Sequence, residues 1–259
     1  MRFCSLGSGS GGNGTLIEAS QGITRTRVLV DCGFSLRELT RRLERAGTLP
    51  GELDAVFITH EHGDHAGCVL TLAAKHRVPI YTSRGTWRAI GPPDFDAAPV
   101  HFVRSDECIA LGDLELQPFA VPHDAQEPLQ LRATDGWHRL GLITDIGSLT
   151  PYVTAALQGC DALLLECNHD EALLRASSYP ANLKRRILGS HGHLSNASAA
   201  ELLGQCRHDR LRHVVAAHLS AQNNTPALAA AALAAILGCS AHEIPVADQV
   251  MGFDWLVLN

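Results

Sequence analysis

The chain has 259 residues, 46% of them hydrophobic and 19% charged, with a net charge of −6. That length allows one large domain or two small ones, and a large α/β domain buries most of its unfolded surface. The acidic balance excludes a global basic field, so a nucleic-acid substrate would need a local basic patch. Only Lys75 and Lys184 among the 21 basic side chains are lysines, a compositional bias. The 8 cysteines form no Cys-x-x-Cys pair. With no signal peptide at Met1-Arg2-Phe3-Cys4-Ser5, they are expected to be reduced and buried in a cytoplasmic protein. The longest apolar run, Ala227 to Leu237, is too short to cross a membrane and reads as a packed helix.

Apolar β-rich runs alternate with helical patterns along the chain, and no low-complexity linker divides it. Phe3 to Leu6, a glycine-rich stretch from Gly7 to Gly14, and Thr15 to Glu18 read as strand, hairpin turn, strand. The stretch lacks a Gly-x-x-x-x-Gly-Lys-[Ser/Thr] pattern and is no nucleotide loop. Val28 to Gly33 is a third strand ending in a turn. Ser35 caps a helix to about Ala46, with Glu38 completing a capping box and arginines 37, 41, 42 and 45 on an exposed face. Ala55 to Ile58 is a buried strand, and Asp64 or His65 opens a helix to about Lys75. Strands follow at Pro79–Ser83, His101–Val103, Leu114–Leu116, Leu129–Arg132, Arg139–Ile143 and Ala162–Leu165. Then come helix Ala197–Gln205, strand Val214–Ala216, helix Pro226–Leu237 and strand Phe253–Leu258. This order suggests an α/β fold with two mixed sheets and helices outside, a four-layer αββα sandwich over residues 1–259 as one domain.

The chemistry is densest at Thr59-His60-Glu61-His62-Gly63-Asp64-His65, directly after the buried strand. Three imidazoles and a carboxylate at such spacing are ligands that zinc and similar ions prefer. Buried without an ion, they would leave polar groups unpaired at about 1–3 kcal/mol each. A solvated histidine-rich loop is the bland alternative, but such loops rarely follow a buried strand.

His-x-His-x-Asp-His with these flanks resembles the signature of the metallo-β-lactamase superfamily. The resemblance continues through Val121-Pro122-His123-Asp124, Ile143-Thr144-Asp145-Ile146-Gly147 and Ala216-Ala217-His218-Leu219-Ser220. It implies the metallo-β-lactamase fold and two divalent ions, zinc or manganese, with iron also possible. One ion would sit on His60, His62 and His123, the other on Asp64, His65 and His218, with Asp145 bridging. A hydroxide between such ions is a nucleophile at neutral pH.

Five further segments narrow the resemblance. Ser5 to Thr15, Asp31-Cys32-Gly33, Glu166-Cys167-Asn168-His169-Asp170, Gly192-His193-Leu194-Ser195-Asn196, and His218-Leu219-Ser220 with Asn223-Asn224 look like the bacterial YycJ/WalJ family. Its members are described as double-stranded DNA 5′ exonucleases. The resemblance makes His193 and Asp64 the catalytic residues, with an imidazolium at 193 protonating the alkoxide leaving group of a phosphodiester. A helix cap or loop contact is the bland reading of His193, and His191 reads as outer support. Lys184, Arg185 and Arg186 are a solvated helix end or a phosphate-contacting patch, which the arginine face at 37 to 45 could extend. Ser195, Asn196, Ser220 and Asn223 are candidate phosphate donors, and each is also an ordinary turn residue. His169 reads as a substrate contact or a local turn, and Glu166 as the group that orients a ligand histidine. No long insertion supplies an arm for structured RNA, which argues against a tRNA 3′-processing enzyme. The expectation is a DNA 5′ exonuclease with no membrane partner. A small-molecule hydrolase (cyclic-phosphate diesterase, thioesterase or lactonase) and a non-catalytic metal-binding regulator are the alternatives.

Overall fold

The computed structural model describes residues 1–259 and contains 2 mixed sheets. The first sheet holds β1 (Arg2–Gly7), β2 (Gly14–Gln21), β3 (Thr24–Val30), β4 (Ala55–Ile58), β5 (Ile80–Thr82), β6 (Val100–Phe102) and β13 (Phe253–Val257), in the order β13-β1-β2-β3-β4-β5-β6. The second holds β7 (Ile109–Leu111), β8 (Leu114–Ala120), β9 (Leu129–Thr134), β10 (Arg139–Ile143), β11 (Ala162–Glu166) and β12 (His213–Ala217), in the order β12-β11-β10-β9-β8-β7. Strands β3 to β6 run parallel, as do β10 to β12; the remaining pairs are antiparallel. The parallel strands β4 and β11 are buried at every position, as strands covered on both faces must be.

Three separate cores define four layers. Phe3, Phe57 and Val30 from one sheet meet Leu116, Leu131 and Leu164 from the other in the middle. On the outer face of the first sheet, Leu16, Leu29 and Ile58 pack on Leu39 and Leu43 of α1 (Leu36–Arg45) and Leu72 of α3 (Val69–His76). On the outer face of the second, Ile143, Leu165 and Ala216 pack under α5 (Pro151–Leu157), α8 (Asn196–Cys206) and α9 (Pro226–Leu237). The αββα sandwich expected from the element order is the architecture observed.

Local differences have physical causes. The helix expected from Asp64 to Lys75 is two pieces, α2 (Gly63–Ala66) and α3, because Gly67 and Cys68 turn the chain back against Cys32, whose carbonyl accepts from the Cys68 N–H at 3.1 Å. Only half of the capping box forms: Ser35 Oγ accepts from the Glu38 N–H, but the Glu38 carboxylate pairs with Arg41 and Arg42. Four short helices, α4 (Arg84–Ile90), α5, α6 (Glu171–Ala176) and α7 (Ala181–Ile187), and strand β7 were not expected, since none is long enough to display a clear period. Cys108 is exposed and Cys239 half-exposed, while the other 6 cysteines are buried as expected; all 8 are unpaired.

Arg42 departs most from expectation. It is buried, its guanidinium donating to the carbonyl oxygens of Leu6 (2.7 Å) and Gln249 (3.2 Å) and lying 4.1 Å above the Phe34 ring. Arg45 reaches the carbonyl oxygens of Leu6 and Met251. These two arginines tie α1 to the ends of β1 and β13, Arg42 from a buried position and Arg45 from the surface. Arg42→Ala would strip the Gln249 carbonyl of its side-chain donor and leave the Leu6 carbonyl and Glu38 with only Arg45 and Arg41. We expect it to lower unfolding free energy by about 2–4 kcal/mol in denaturant titrations. A loss below about 0.5 kcal/mol, ordinary for a surface change, would contradict this packing role.

Candidate metal centre

The ends of parallel strands in an open sheet are where ligands gather. Here the parallel strands β3, β4, β10, β11 and β12 deliver Asp31, His60, Asp145, Glu166 and His218 at or just past their C-terminal ends, and the antiparallel β8 delivers His123. Three of these residues have left-handed backbone: Asp31 (φ 61), Asp145 (φ 54) and His218 (φ 55). That conformation costs on the order of 1–3 kcal/mol for a non-glycine residue and persists only where surroundings enforce it. Two glycines permit the close approach of the loops. A Cβ on Gly33 would lie 1.7 Å from the Asp64 carbonyl oxygen, and one on Gly147 would lie 2.3 Å from the Gly192 nitrogen.

Hydrogen bonds behind the rings decide which nitrogen each histidine presents. His65 Nδ1 donates to Asp31 (2.7 Å), His218 Nδ1 to Glu166 (3.1 Å) and His123 Nδ1 to the Gly192 carbonyl (3.1 Å). The Thr59 hydroxyl donates to Asp31, so it accepts from His60 Nδ1 at 3.0 Å. Each of the four rings therefore presents Nε2 to the centre, in the arrangement that orients metal-ligating imidazoles.

The presented atoms converge in two groups. His60 Nε2 is 3.0 Å and His123 Nε2 is 3.4 Å from His62 Nδ1. Asp64 Oδ2 lies 3.7 Å from the Nε2 atoms of both His65 and His218. Asp145 stands between the groups: Oδ1 is 3.9 Å from His123 Nε2, while Oδ2 is 2.9 Å from His65 Nε2 and 3.6 Å from His218 Nε2. Asp145 Oδ2 and His218 Nε2 are buried without a hydrogen-bond partner, since the 2.9 Å approach of His65 lacks hydrogen-bond geometry. Burial would push the Asp145 carboxyl up, yet His218 and His65 hold it well below the usual carboxylate range. An anionic carboxylate, converging imidazole nitrogens and orphaned buried acceptors fit a divalent cation. Glu166 and His193 also lie near Asp145 and His218. Glu166 sits behind the rings instead of facing the centre, because both its oxygens are already bonded.

Glu166 organises the substrate side. Its Oε1 accepts from His193 Nδ1 (2.8 Å) as well as His218, and its Oε2 accepts from the N–H groups of Ile146 (3.0 Å) and Leu194 (3.1 Å). Burial raises the carboxyl and the His193 imidazole lowers it, for a net fall to about 2. His193 feels the reverse: burial lowers its pKa, and Glu166 with Asp145 more than restores it, so the ring keeps a proton above its ordinary value. With Nδ1 bound to Glu166, Nε2 is left without a protein partner in a pocket of about 180 Å³, whose walls include Arg186 and Ser220. His193 is thus neither a helix cap nor a loop contact; Ser195 caps α8 by accepting from the Ser198 N–H.

Other expected substrate residues lie differently. Lys184 donates to the carbonyl oxygens of Arg175 (2.7 Å) and Ser177 (2.6 Å), which directs it into the protein's own backbone. Arg185 is exposed, and Arg186 pairs with Asp124 at the pocket wall. Ser195 is occupied as a cap, and Asn196 exchanges two 2.9 Å bonds with Asn224. Asn223 is fully buried, donating to Ser220 Oγ. His169 is buried behind the wall with both ring nitrogens unpartnered, and the His191 ring is exposed against Ser190. The arginine face of α1 does not extend the patch. A hollow of about 940 Å³ there is lined by Arg37, Arg41 and Lys75 with Glu38 and Glu44, mixed charges without a histidine or cysteine. Residue-by-residue reading missed Asp31, Thr59 and Asn13, whose Nδ2 lies 3.0 Å from His65 Nε2. The available signal was a carboxylate closing the apolar run Val28-Leu29-Val30.

A model of the beta-lactamase superfamily domain matches residues 26–218, which fixes the class. Exodeoxyribonuclease WalJ of Streptococcus pneumoniae is 32% identical over 262 residues, covering 100% of this chain and 93% of the relative. Exodeoxyribonuclease YycJ of Bacillus anthracis is 33% identical over 241 residues, covering 92% and 89%. In fold, the chain superposes on the metallo-beta-lactamase fold protein YhfI from Bacillus subtilis with a TM-score of 0.74, at 18% identity and 98% coverage of each. The chain belongs to the beta-lactamase superfamily and, within it, to the family of the WalJ and YycJ exodeoxyribonucleases.

Removing the carboxylate behind His65 tests the centre without touching an inward-facing atom. Asp31→Ala should weaken Zn²⁺ binding about 10- to 100-fold in competitive chelator titrations. Unchanged affinity would show that the Asp31 bond does not prepare His65 for a metal.

Proposed function

We propose that this chain is a two-ion phosphodiesterase that removes nucleotides from the 5′ ends of DNA, with residues 1–259 acting as one hydrolase unit. One observation carries the chemistry: His193, fixed by Glu166 at 2.8 Å and holding its proton tightly, stands beside Asp145 with its free nitrogen in a pocket that also holds Arg186. Full-length similarity to two exodeoxyribonucleases supports DNA as the substrate. His60, His62 and His123 would hold one divalent ion and Asp64, His65 and His218 the other, with Asp145 bridging; zinc, manganese and iron all suit these donors. Such a pair supplies water of lowered pKa and positive charge beside the phosphoryl oxygens.

The chain's own groups complete the reaction. The bond from phosphorus to the leaving O3′ breaks as water oxygen bonds to phosphorus, and His193 gives its Nε2 proton to O3′. The products are a nucleotide with a 3′-hydroxyl and a strand shortened by one residue with a new 5′-phosphate. An alkoxide is a poor leaving group, so a positioned acid contributes about 10²–10⁴-fold. Glu166 keeps the ring oriented and charged. Arg185 and Arg186 supply local positive charge in a protein of net charge −6, and Ser220 a neutral donor. Eight unpaired cysteines suit a cytoplasmic setting, which we assign on that ground. No helix is long and apolar enough to cross a membrane.

The test uses protein loaded with Mn²⁺ or Zn²⁺ and 5′-labelled duplex DNA. Labelled mononucleotide should appear first, and His193→Ala should slow its release about 10²–10⁴-fold with metal content unchanged. Turnover of a thioester or lactone without any phosphodiester cleavage would sink the proposal in favour of a small-molecule hydrolase.

A further inference from the structure

Between β11 and α8 the chain lays α6 and α7 over the edge of the centre, and α7 has no buried residue. A helix that buries nothing of its own is held by other means. Here Lys184 binds the carbonyls that end α6, and Arg186 binds Asp124 beside His123. The middle of α7 is thereby tied to α6 and its last turn to the edge of the site.

The face so presented has a definite composition. Leu183 and Ile187 are four residues apart on α7, Arg186 lies next to them, and Tyr179 precedes Leu183 by four. All four line the same pocket as His193 and Ser220. Tyr179 is half-buried, and its hydroxyl makes no hydrogen bond within the protein. It supplies the pocket's one phenol ring, next to two aliphatic side chains, with the His193 imidazole and the Arg186 guanidinium, paired to the Asp124 carboxylate, close by. Planar aromatic surface beside cationic groups is how proteins hold a nucleobase next to its phosphate without reading its sequence. At about 180 Å³ the pocket is smaller than the roughly 300–1,000 Å³ of ordinary small-molecule sites, which leaves room for one base and not for a run of stacked bases.

We propose that this pocket receives the departing 5′-terminal nucleotide, with its base stacked on Tyr179. The inference rests on the phosphodiesterase reading, because it is His193 that identifies this side of the phosphate as the leaving side. It adds a residue that sets the step size: a wall with room for one base favours cutting one nucleotide from an end. Stacking tolerates any base, so the pocket prefers a nucleotide over an abasic sugar phosphate and discriminates little among bases.

Calorimetric titration of the full-length protein with thymidine 5′-monophosphate and with 2-deoxyribose 5-phosphate tests this directly. Wild type should prefer the nucleotide by about 5- to 150-fold, the range expected for stacking one base on an aromatic ring. Tyr179→Ala should lose that preference and Tyr179→Phe should keep it, which separates stacking from a folding defect. No preference in the wild type, or an equal preference in Tyr179→Ala, would overturn the proposal. Digestion of duplex DNA by the same wild-type preparation distinguishes the two levels. A protein that prefers the nucleotide but leaves DNA intact would overturn the exonuclease reading while supporting the stacking site.

Discussion

The carboxylate of Asp145 is the constraint on which the rest depends. It is a buried charge whose oxygens point opposite ways, one toward His123 and the other toward His65 and His218. An isolated carboxylate in that setting would be severely penalised, and the surrounding imidazoles and the cations they suit are what make it tenable. Its backbone is left-handed, and, two residues on, Gly147 packs against the loop at 191–192 so closely that no side chain would fit. That loop leads into His193, so the turn after Asp145 and the placement of the His193 ring belong to one packing arrangement.

Neither sheet alone contains the centre. The first supplies Asp31, His60, His62, Asp64 and His65; the second supplies His123, Asp145, Glu166 and His218. The glycine-rich turn between β1 and β2 joins the two, since Ser8 Oγ accepts from the His218 N–H at 2.9 Å while Asn13 reaches His65. The middle core, where the sheets face each other, therefore also sets the registry between the two groups of converging side chains. Buried carboxylates behind the rings perform a related task at shorter range. Asp31 and Glu166 each bond one ring nitrogen so that the other points inward, and Glu166 does so for a centre-facing histidine and for His193 together.

Much of this was legible in the sequence because its signals are local. The His60–His65 cluster follows an unbroken apolar strand, and α9 is bracketed by Thr225, Pro226 and Gly238, a cap, a first-turn proline and a left-handed terminator. What was not legible depends on partners distant in the chain. Arg42 reads as one of four solvated arginines, yet backbone carbonyls of Leu6 and Gln249 draw it inward. Ser195 and Asn196 look like phosphate donors beside His193, but Ser198 and Asn224 occupy them. Asp31 lies in a segment, Asp31-Cys32-Gly33, that marks the family resemblance, but its role appears only when His65 is folded against it. Helices of six or seven residues such as α6 and α7 are too short to display a period, although α7 forms part of the pocket wall.

The most direct measurement compares leaving groups. Ion-activated water and a separate acid at His193 make different demands: a nitrophenolate departs without a proton, whereas the O3′ of DNA does not. The ratio of wild-type to His193→Ala rates should therefore be about 10² or more on a dinucleotide, and less than about tenfold on the p-nitrophenyl ester of thymidine 5′-monophosphate. Equal defects on both substrates would mean that His193 is not the acid, and the assignment of the pocket as the leaving side would fall with it.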